Sequence, residues 1–294
     1  MYLAHFALTD LPFGLTPNTG FYVSLDGHQQ AMDVLWTALQ LGEGFLKVTG
    51  EVGTGKTLLC RKVLQEAPAD WQCAYLPDPH VTPDQLRWAL ALELGLQHSS
   101  NIDQQQLHHL LQRQLMLLAA QGKRVVVLID EAQALPDETL EALRLMTNLE
   151  TEQRKLLQVV LFGQPELDVR LAKTRFRQLR QRISFSYQLP KLSQPQVRSY
   201  IEERLAIAGA AEPQLFSRAA VVLLTWASRG IPRLVNILAH KSLLVCYGKG
   251  QHQVGCSAVW AAARDTDDVQ WSWLPWLWAS LVVAVATLAW SVVA

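Results

Sequence analysis

Eight consecutive residues, Gly50-Glu51-Val52-Gly53-Thr54-Gly55-Lys56-Thr57, follow the pattern GxxxxGK[ST], and each residue type in it suits the binding of a phosphate chain. Glycines let the backbone fold into a concave nest whose N–H groups face anionic oxygens, and the helix that follows adds its partly positive N-terminus. Lys56 supplies a full charge against β- and γ-phosphate oxygens. Thr57 supplies a hydroxyl oxygen to Mg²⁺, and Leu58 completes the nucleotide-binding run 50–58. A chance glycine turn has no reason to carry Lys-Thr at these two positions.

A second stretch, Val125-Val126-Val127-Leu128-Ile129-Asp130-Glu131, reads as a buried strand that delivers two carboxylates at its C-terminal edge, where open α/β sheets bind their ligands. Asp130 is placed to hold Mg²⁺ through its water shell. Glu131 is placed to orient and polarise an attacking water. Together the two motifs imply binding and hydrolysis of ATP with Mg²⁺, with Lys56 and Glu131 as catalytic groups and Thr57 and Asp130 as the metal side. Asp130-Glu131-Ala132-Gln133 also has the form of a helicase DEAx box. A two-lobed helicase needs a second α/β domain, and the residues after Pro190 are helical and too few.

These groups need a parallel sheet to hold them. Residues 45–49 read as a strand running into the glycine stretch and then a helix, which is half of a βαβ unit. Further strands are expected at 72–76, 124–129, 156–162 and 183–189, with helices at 29–41, 83–97 and 103–120, so helices should cover both faces of the sheet. On the helix at 103–120, Leu107, Leu110, Leu111, Leu115 and Leu118 form the apolar side, with His108 and His109 on the polar side. Breakers crowd the first thirty residues (Pro12, Gly14, Pro17, Asn18, Gly20, Gly27), which predicts an irregular strap. Past Pro190 the pattern turns all-helical: Ser193 with Gln196 makes a capping box, Ser217 caps a helix ending near Gly230, and Pro232 opens another. The expected domains are a strap at 1–30, an α/β core at 31–190, a small all-α lid at 191–268 and an apolar C-terminal segment at 269–294.

Taken with other stretches, the sequence resembles the AAA+ ATPases of the ExeA / general secretion pathway protein A family, including members that serve biogenesis of the mannose-sensitive haemagglutinin (MSHA) type IV pilus. The stretches are Leu11-Pro12-Phe13, Leu15-Thr16-Pro17-Asn18, Asp130-Glu131-Ala132-Gln133-Ala134-Leu135, Asn148-Leu149-Glu150-Thr151, Phe162-Gly163-Gln164-Pro165-Glu166-Leu167, Leu179-Arg180-Gln181-Arg182-Ile183 and Gly230-Ile231-Pro232-Arg233-Leu234-Val235-Asn236. The resemblance implies a P-loop AAA+ core with a helical lid. It also implies Gln164 as the sensor-1 group near the γ-phosphate and Arg233 as the sensor-2 arginine that contacts nucleotide and couples its state to the lid. Arg182, with Arg177 and Arg180 as alternates, takes the position of the finger that reaches a neighbouring subunit. A trans-acting arginine implies a homo-oligomer, a hexamer among the possible forms. Partners implied are pilus or secretion assembly proteins at the inner membrane. Family members commonly continue past a membrane span into a periplasmic domain that can bind peptidoglycan; with the sequence ending at Ala294, peptidoglycan binding is not expected.

Composition bounds the remainder. Among 294 residues, 26 basic and 26 acidic side chains leave the chain formally neutral, without the basic excess of a nucleic-acid binder. An ATP-switched regulator of DNA transactions shares this core and stands as the alternative reading. Cys60, Cys73, Cys246 and Cys256 are far apart, with no zinc spacing and no disulfide framework. The first ten residues hold no signal peptide. From Trp271 to Ala294 no residue is charged, and five of the ten Trp lie there. A helix from Pro275 to the end would be about 30 Å long, enough to span a bilayer core, with Trp near both ends as aromatic belts require. The expectation is a single C-terminal transmembrane helix, with the ATPase body in the cytoplasm where ATP is.

Overall fold

The computed structural model describes residues 2–96, 102–150 and 155–269. In chain order its helices are α1 (Tyr2–His5), α2 (Asp26–Gln40), α3 (Lys56–Glu66), α4 (Pro83–Glu93), α5 (Gln104–Ala120), α6 (Asp137–Met146), α7 (Pro165–Leu171), α8 (Arg177–Arg182), α9 (Gln194–Ile207), α10 (Arg218–Ser228), α11 (Pro232–Gly248) and α12 (Cys256–Arg264). The strands are β1 (Phe45–Thr49), β2 (Trp71–Leu76), β3 (Arg124–Ile129), β4 (Gln158–Gly163) and β5 (Ile183–Gln188). The chain divides into two compact units, one of residues 15–191 with 231–233 and one of 1–14, 192–230 and the residues from 234 on.

The first unit is a five-stranded sheet in the order β2-β3-β4-β1-β5, with every pairing parallel. Residues of β3 alternate between the two faces because side chains on a strand point to opposite sides. Val125, Val127 and Ile129 pack with Leu86, Leu90, Leu107, Leu111 and Leu115 from α4 and α5. Val126 and Leu128 pack with Met32, Leu35, Leu39, Leu59 and Val63 from α2 and α3. The α/β architecture with helices on both faces is therefore as expected. The order puts β1 between β4 and β5 and brings the C-terminal ends of β1, β3 and β4 to one edge. Along α5, Leu107, Leu111, Leu115 and Leu118 are buried while Leu110 is only partly so.

Several boundaries differ from the sequence reading. Helix α2 starts at Asp26 rather than 29, because Gly27 lies inside it: a Cβ there would stand 2.7 Å from the Pro190 ring. Close packing, not turn formation, accounts for that glycine. Helix α4 ends at Glu93, short of the expected 97, since Gly95 takes φ +67°. The fourth strand runs 158–163 rather than 156–162. Helices α6, α7, α8 and α12 were not anticipated; all four have ten residues or fewer and offer little periodicity. The residues read as an irregular strap hold α1 and a 3₁₀ turn at Thr19–Phe21.

The second unit is helical. Ser193 N–H donates to Gln196 Oε1 at 2.9 Å, and Ser217 Oγ accepts from the Ala220 N–H at 3.2 Å, so both expected helix starts are present. The N-terminal residues fasten to this unit. Thr9 N–H and Oγ1 both donate to the Ala208 carbonyl, at 2.8 and 2.9 Å, and the buried Arg204 donates through Nε to the Pro12 carbonyl at 2.6 Å. Among the described residues no helix is long and apolar enough to cross a membrane. The expected C-terminal transmembrane helix falls, past Val269, outside the described residues.

Candidate functional site

Residues 50–57 lie between the end of β1 and the start of α3, the strand–loop–helix context that the motif needs. Gly53 and Gly55 take φ +82° and +98°, a region that residues with a Cβ rarely enter. Lys56 is only 4% exposed. Nζ donates to two loop carbonyls, Gly50 at 2.9 Å and Glu51 at 3.0 Å. Burial lowers the ammonium pKa, and the carboxylates of Glu131, Asp130, Glu166 and Glu51 push it back up. Among the described residues Lys56 forms no direct ion pair. Its charge is desolvated, held by neutral oxygens, and complementary to an anion. Val52 is exposed on the outer rim of the loop.

Strand β3 ends beside the loop and delivers its two carboxylates there. Thr57 Oγ1 donates to Asp130 Oδ2 at 2.6 Å, and the Glu131 N–H donates to Asp130 Oδ1 at 2.9 Å. Hard oxygen donors of this kind are what Mg²⁺ prefers, so the residues fit the ion that the motif implies. Glu131 takes φ +50°, rare for a residue with a side chain. Its Oε2 accepts two amide hydrogen bonds, from Gln133 Nε2 at 2.6 Å and Gln164 Nε2 at 3.0 Å. Gln164, at the end of β4, is thus brought to Glu131. Lys56, Thr57, Asp130, Glu131 and Gln164 form one cluster at one sheet edge.

The arginines are placed differently. Arg233 is exposed, and its backbone N–H donates to the Gly53 carbonyl at 3.1 Å within the same unit. A Cβ on Gly53 would stand 2.6 Å from the Arg233 Cβ, a second reason for glycine there. Arg182, the last residue of α8, turns to the end of α6 through Nη1, at 3.3 Å from the Arg144 carbonyl and 3.4 Å from Thr147 Oγ1. Arg180 is exposed with one long bond to the Ala172 carbonyl, 3.4 Å, and Arg177 is exposed as well. None of the three is hydrogen-bonded to the Lys56–Glu131 cluster.

Three contributors were given no site role by the sequence reading. Buried His28 on α2 donates through Nε2 to the Thr54 carbonyl at 2.9 Å, and a Cβ on Gly55 would meet the same nitrogen at 2.9 Å. Burial lowers the His28 pKa more than its backbone hydrogen bond raises it. Gln133 holds Glu131, as above. Arg170 of α7 donates to the carbonyls of Gln133 and Leu135 and pairs with Asp137, bracing the turn after Glu131. Gln133 alone carried a signal, its spacing of two from Glu131; His28 and Arg170 reach their partners only through the fold.

Solved structures with a similar fold share little sequence with this chain. Cdc6p from Pyrobaculum aerophilum matches with a TM-score of 0.65 at 17% identity, over 86% of this chain and 71% of that one. The Aeropyrum pernix ORC1 protein, solved in complex with DNA, gives 0.62 at 20% identity over 86% and 69%. The Thermotoga maritima RuvB Holliday junction branch migration motor gives 0.53 at 15% identity over 84% and 73%. Residues 40–171 match the family model described as AAA domain. The core has the AAA-type P-loop fold. The matched segment of this AAA-type core holds the loop at 50–57, the Asp130/Glu131 pair and Gln164. Beyond it, General secretion pathway protein A of Aeromonas hydrophila is 40% identical over 270 residues, 92% of this chain. The chain spans about half the length of that curated relative, 49%.

Proposed function

We propose that this chain is a Mg²⁺-dependent AAA+ ATPase of the ExeA / general secretion pathway protein A type. The observation that carries the reading is the meeting of the two motifs: Thr57 Oγ1 and Asp130 Oδ2 at 2.6 Å, with the desolvated Lys56 one residue away. In this reading the N–H groups of 50–58 and Lys56 bind the phosphates, and Thr57 and Asp130 hold Mg²⁺, which when bound offsets phosphate charge. Glu131 accepts the proton of the attacking water, and Gln164 orients the γ-phosphate end. Arg233 contacts nucleotide through its exposed guanidinium. Arg182 serves a neighbouring subunit of a homo-oligomer, giving up two long hydrogen bonds at little cost; exposed Arg180 and Arg177 are its alternates.

The relative from Aeromonas hydrophila, by its name a general secretion pathway protein, supports a role in a secretion machine; the type IV pilus and the inner membrane come from the sequence resemblance. The finer reading, an MshM-type ATPase of MSHA pilus biogenesis, rests on the sequence resemblance. Residues 269–294 then serve as the membrane anchor, with the ATPase body on the cytoplasmic side. The domain limits 1–30, 31–190, 191–268 and 269–294 belong to the same proposal. A DNA-transaction regulator is the second reading, favoured by the DNA-bound neighbour in fold and opposed by a formal net charge of zero. The test is ATP turnover by the detergent-extracted full chain with Mg²⁺, with chelation of the metal and addition of duplex DNA as separate arms. Turnover that needs Mg²⁺ and ignores DNA supports the first reading; turnover that appears only with DNA supports the second.

A further inference from the structure

Glu131 is a base only if its carboxylate is aimed, and the groups that aim it can be read from the hydrogen bonds around it. Oε2 accepts from two amides, Gln133 Nε2 at 2.6 Å and Gln164 Nε2 at 3.0 Å. The two amides are anchored in different ways. The other end of the Gln133 amide, Oε1, accepts the backbone N–H of Gln164 at 2.9 Å. That N–H is a donor only, so it fixes which atom of the Gln133 amide is oxygen and turns Nε2 toward Glu131. The Gln133 backbone is held as well, since its carbonyl accepts from Arg170, which also donates to the Leu135 carbonyl at 2.7 Å. The amide also lies against the backbone of β4: a Cβ on Gly163 would stand 3.4 Å from Gln133 Oε1.

The Gln164 side-chain amide, by contrast, makes a single hydrogen bond among the described residues, to Glu131. Swinging Nε2 away to an oxyanion would cost Gln164 that bond alone, and would leave its backbone N–H on Gln133 undisturbed. Gln133 would keep hold of Oε2 throughout. We infer that Gln133 is the fixed positioning residue of Glu131, orienting its carboxylate so that Oε1 is left for the attacking water, while Gln164 is the exchangeable partner. The inference rests on the proposed ATPase reading and assigns a residue that the motif pattern leaves without a role. Gln133 touches neither nucleotide nor water in it; Gln133 acts through Glu131.

The experiment measures kcat and KM for Mg-ATP, the Kd of a fluorescent ATP analogue, and Tm, on the full chain and on Gln133→Ala and Gln133→Glu. Gln133→Glu preserves size and the acceptor for the Gln164 N–H but replaces the donor to Glu131 with an anionic oxygen. Removing the orienting donor should lower kcat about tenfold or more in Gln133→Ala, and at least as far in Gln133→Glu, with KM and Kd within about twofold of wild type. Wild-type kcat in Gln133→Glu would overturn the inference, since space filling alone would then suffice. Loss of Tm and nucleotide affinity in step with kcat in both variants would overturn it too, as a role in folding only. A wild-type chain that binds Mg-ATP without hydrolysing it would overturn the ATPase reading and this inference with it. Hydrolysis by wild type with kcat unchanged in both variants would overturn this inference alone.

Discussion

Thr57 Oγ1 donates to Asp130 Oδ2 at 2.6 Å, a hydrogen bond between residues 73 apart in the chain that joins the start of α3 to the end of β3. Both oxygens are those expected on the metal side. Thr57→Ala should remove one of them and leave Asp130 Oδ2, in a side chain only 4% exposed, without its donor. The expected result is a Mg²⁺ requirement raised about tenfold or more and stability reduced by about 1–3 kcal/mol, with Thr57→Ser near wild type. Titration of activity against free Mg²⁺ and urea unfolding check the two effects. Equal Mg²⁺ dependence in Thr57→Ala and wild type would remove Thr57 from the metal side.

His28 links stability to pH. Its folded-state pKa is pushed below 6.5 by burial, so the unfolded chain binds a proton that the folded chain refuses. Below pH 6.5 the unfolded state gains protons first, and stability falls with pH until the lower, folded-state value is passed; above 6.5 the contribution is fully present. His28→Gln keeps a donor for the Thr54 carbonyl and cannot titrate. Urea midpoints at pH 7.5 and 5.5 should therefore drop further in wild type than in His28→Gln. His108 and His240, also lowered by burial, act alike in both proteins. The same drop in both would mean that His28 protonates in the fold as it does unfolded.

What the sequence discloses is the part of the site that is contiguous. The run 50–58 and the pair Asp130/Glu131 are legible because phosphate binding and a buried strand end impose residue types at fixed spacing. Gln164 and Arg233 needed the family resemblance, since a lone polar residue after a strand or in a first helical turn has many uses. His28 and Arg170 were invisible: His28 lies 26 residues from Thr54, and Arg170 lies 37 from Gln133, distances that only the sheet order closes. Gly27 misled, because its lack of a Cβ serves Pro190 rather than a turn. In α5 the apolar spacing alone sufficed, since one face is buried, and in β3 the unbroken apolar run did, since both faces are buried.

Arg182 is proposed to act across a subunit boundary, although here it leans on α6 through bonds of 3.3 and 3.4 Å. Arg182→Ala should cost about 10³-fold in turnover with nucleotide affinity little changed. Mixing it with Lys56→Ala should restore part of the activity, because some interfaces then pair an intact loop with an intact arginine. A mixture as inactive as its parts, with mixed oligomers demonstrated, would move the assignment to exposed Arg180 or Arg177.

The uncharged stretch from Trp271 to Ala294 is proposed as the anchor. The full chain should sediment with inner membranes and resist carbonate extraction, whereas a chain ending at Val269 should be soluble with its turnover intact. A full chain that stays in the soluble fraction without detergent would exclude the anchor.

The central claim is ATP hydrolysis by Lys56 and Glu131 in separate roles. The measurement that tests it most directly is paired nucleotide binding and turnover in Lys56→Ala and Glu131→Gln. Lys56 meets the phosphates already in the bound state, so its loss should weaken Mg-ATP binding about 10-fold or more. Glu131 acts in the chemical step, so Glu131→Gln should bind Mg-ATP as wild type does while turnover falls by about 10²-fold or more. Equal loss of binding in both variants, or wild-type turnover in Glu131→Gln, would contradict the account.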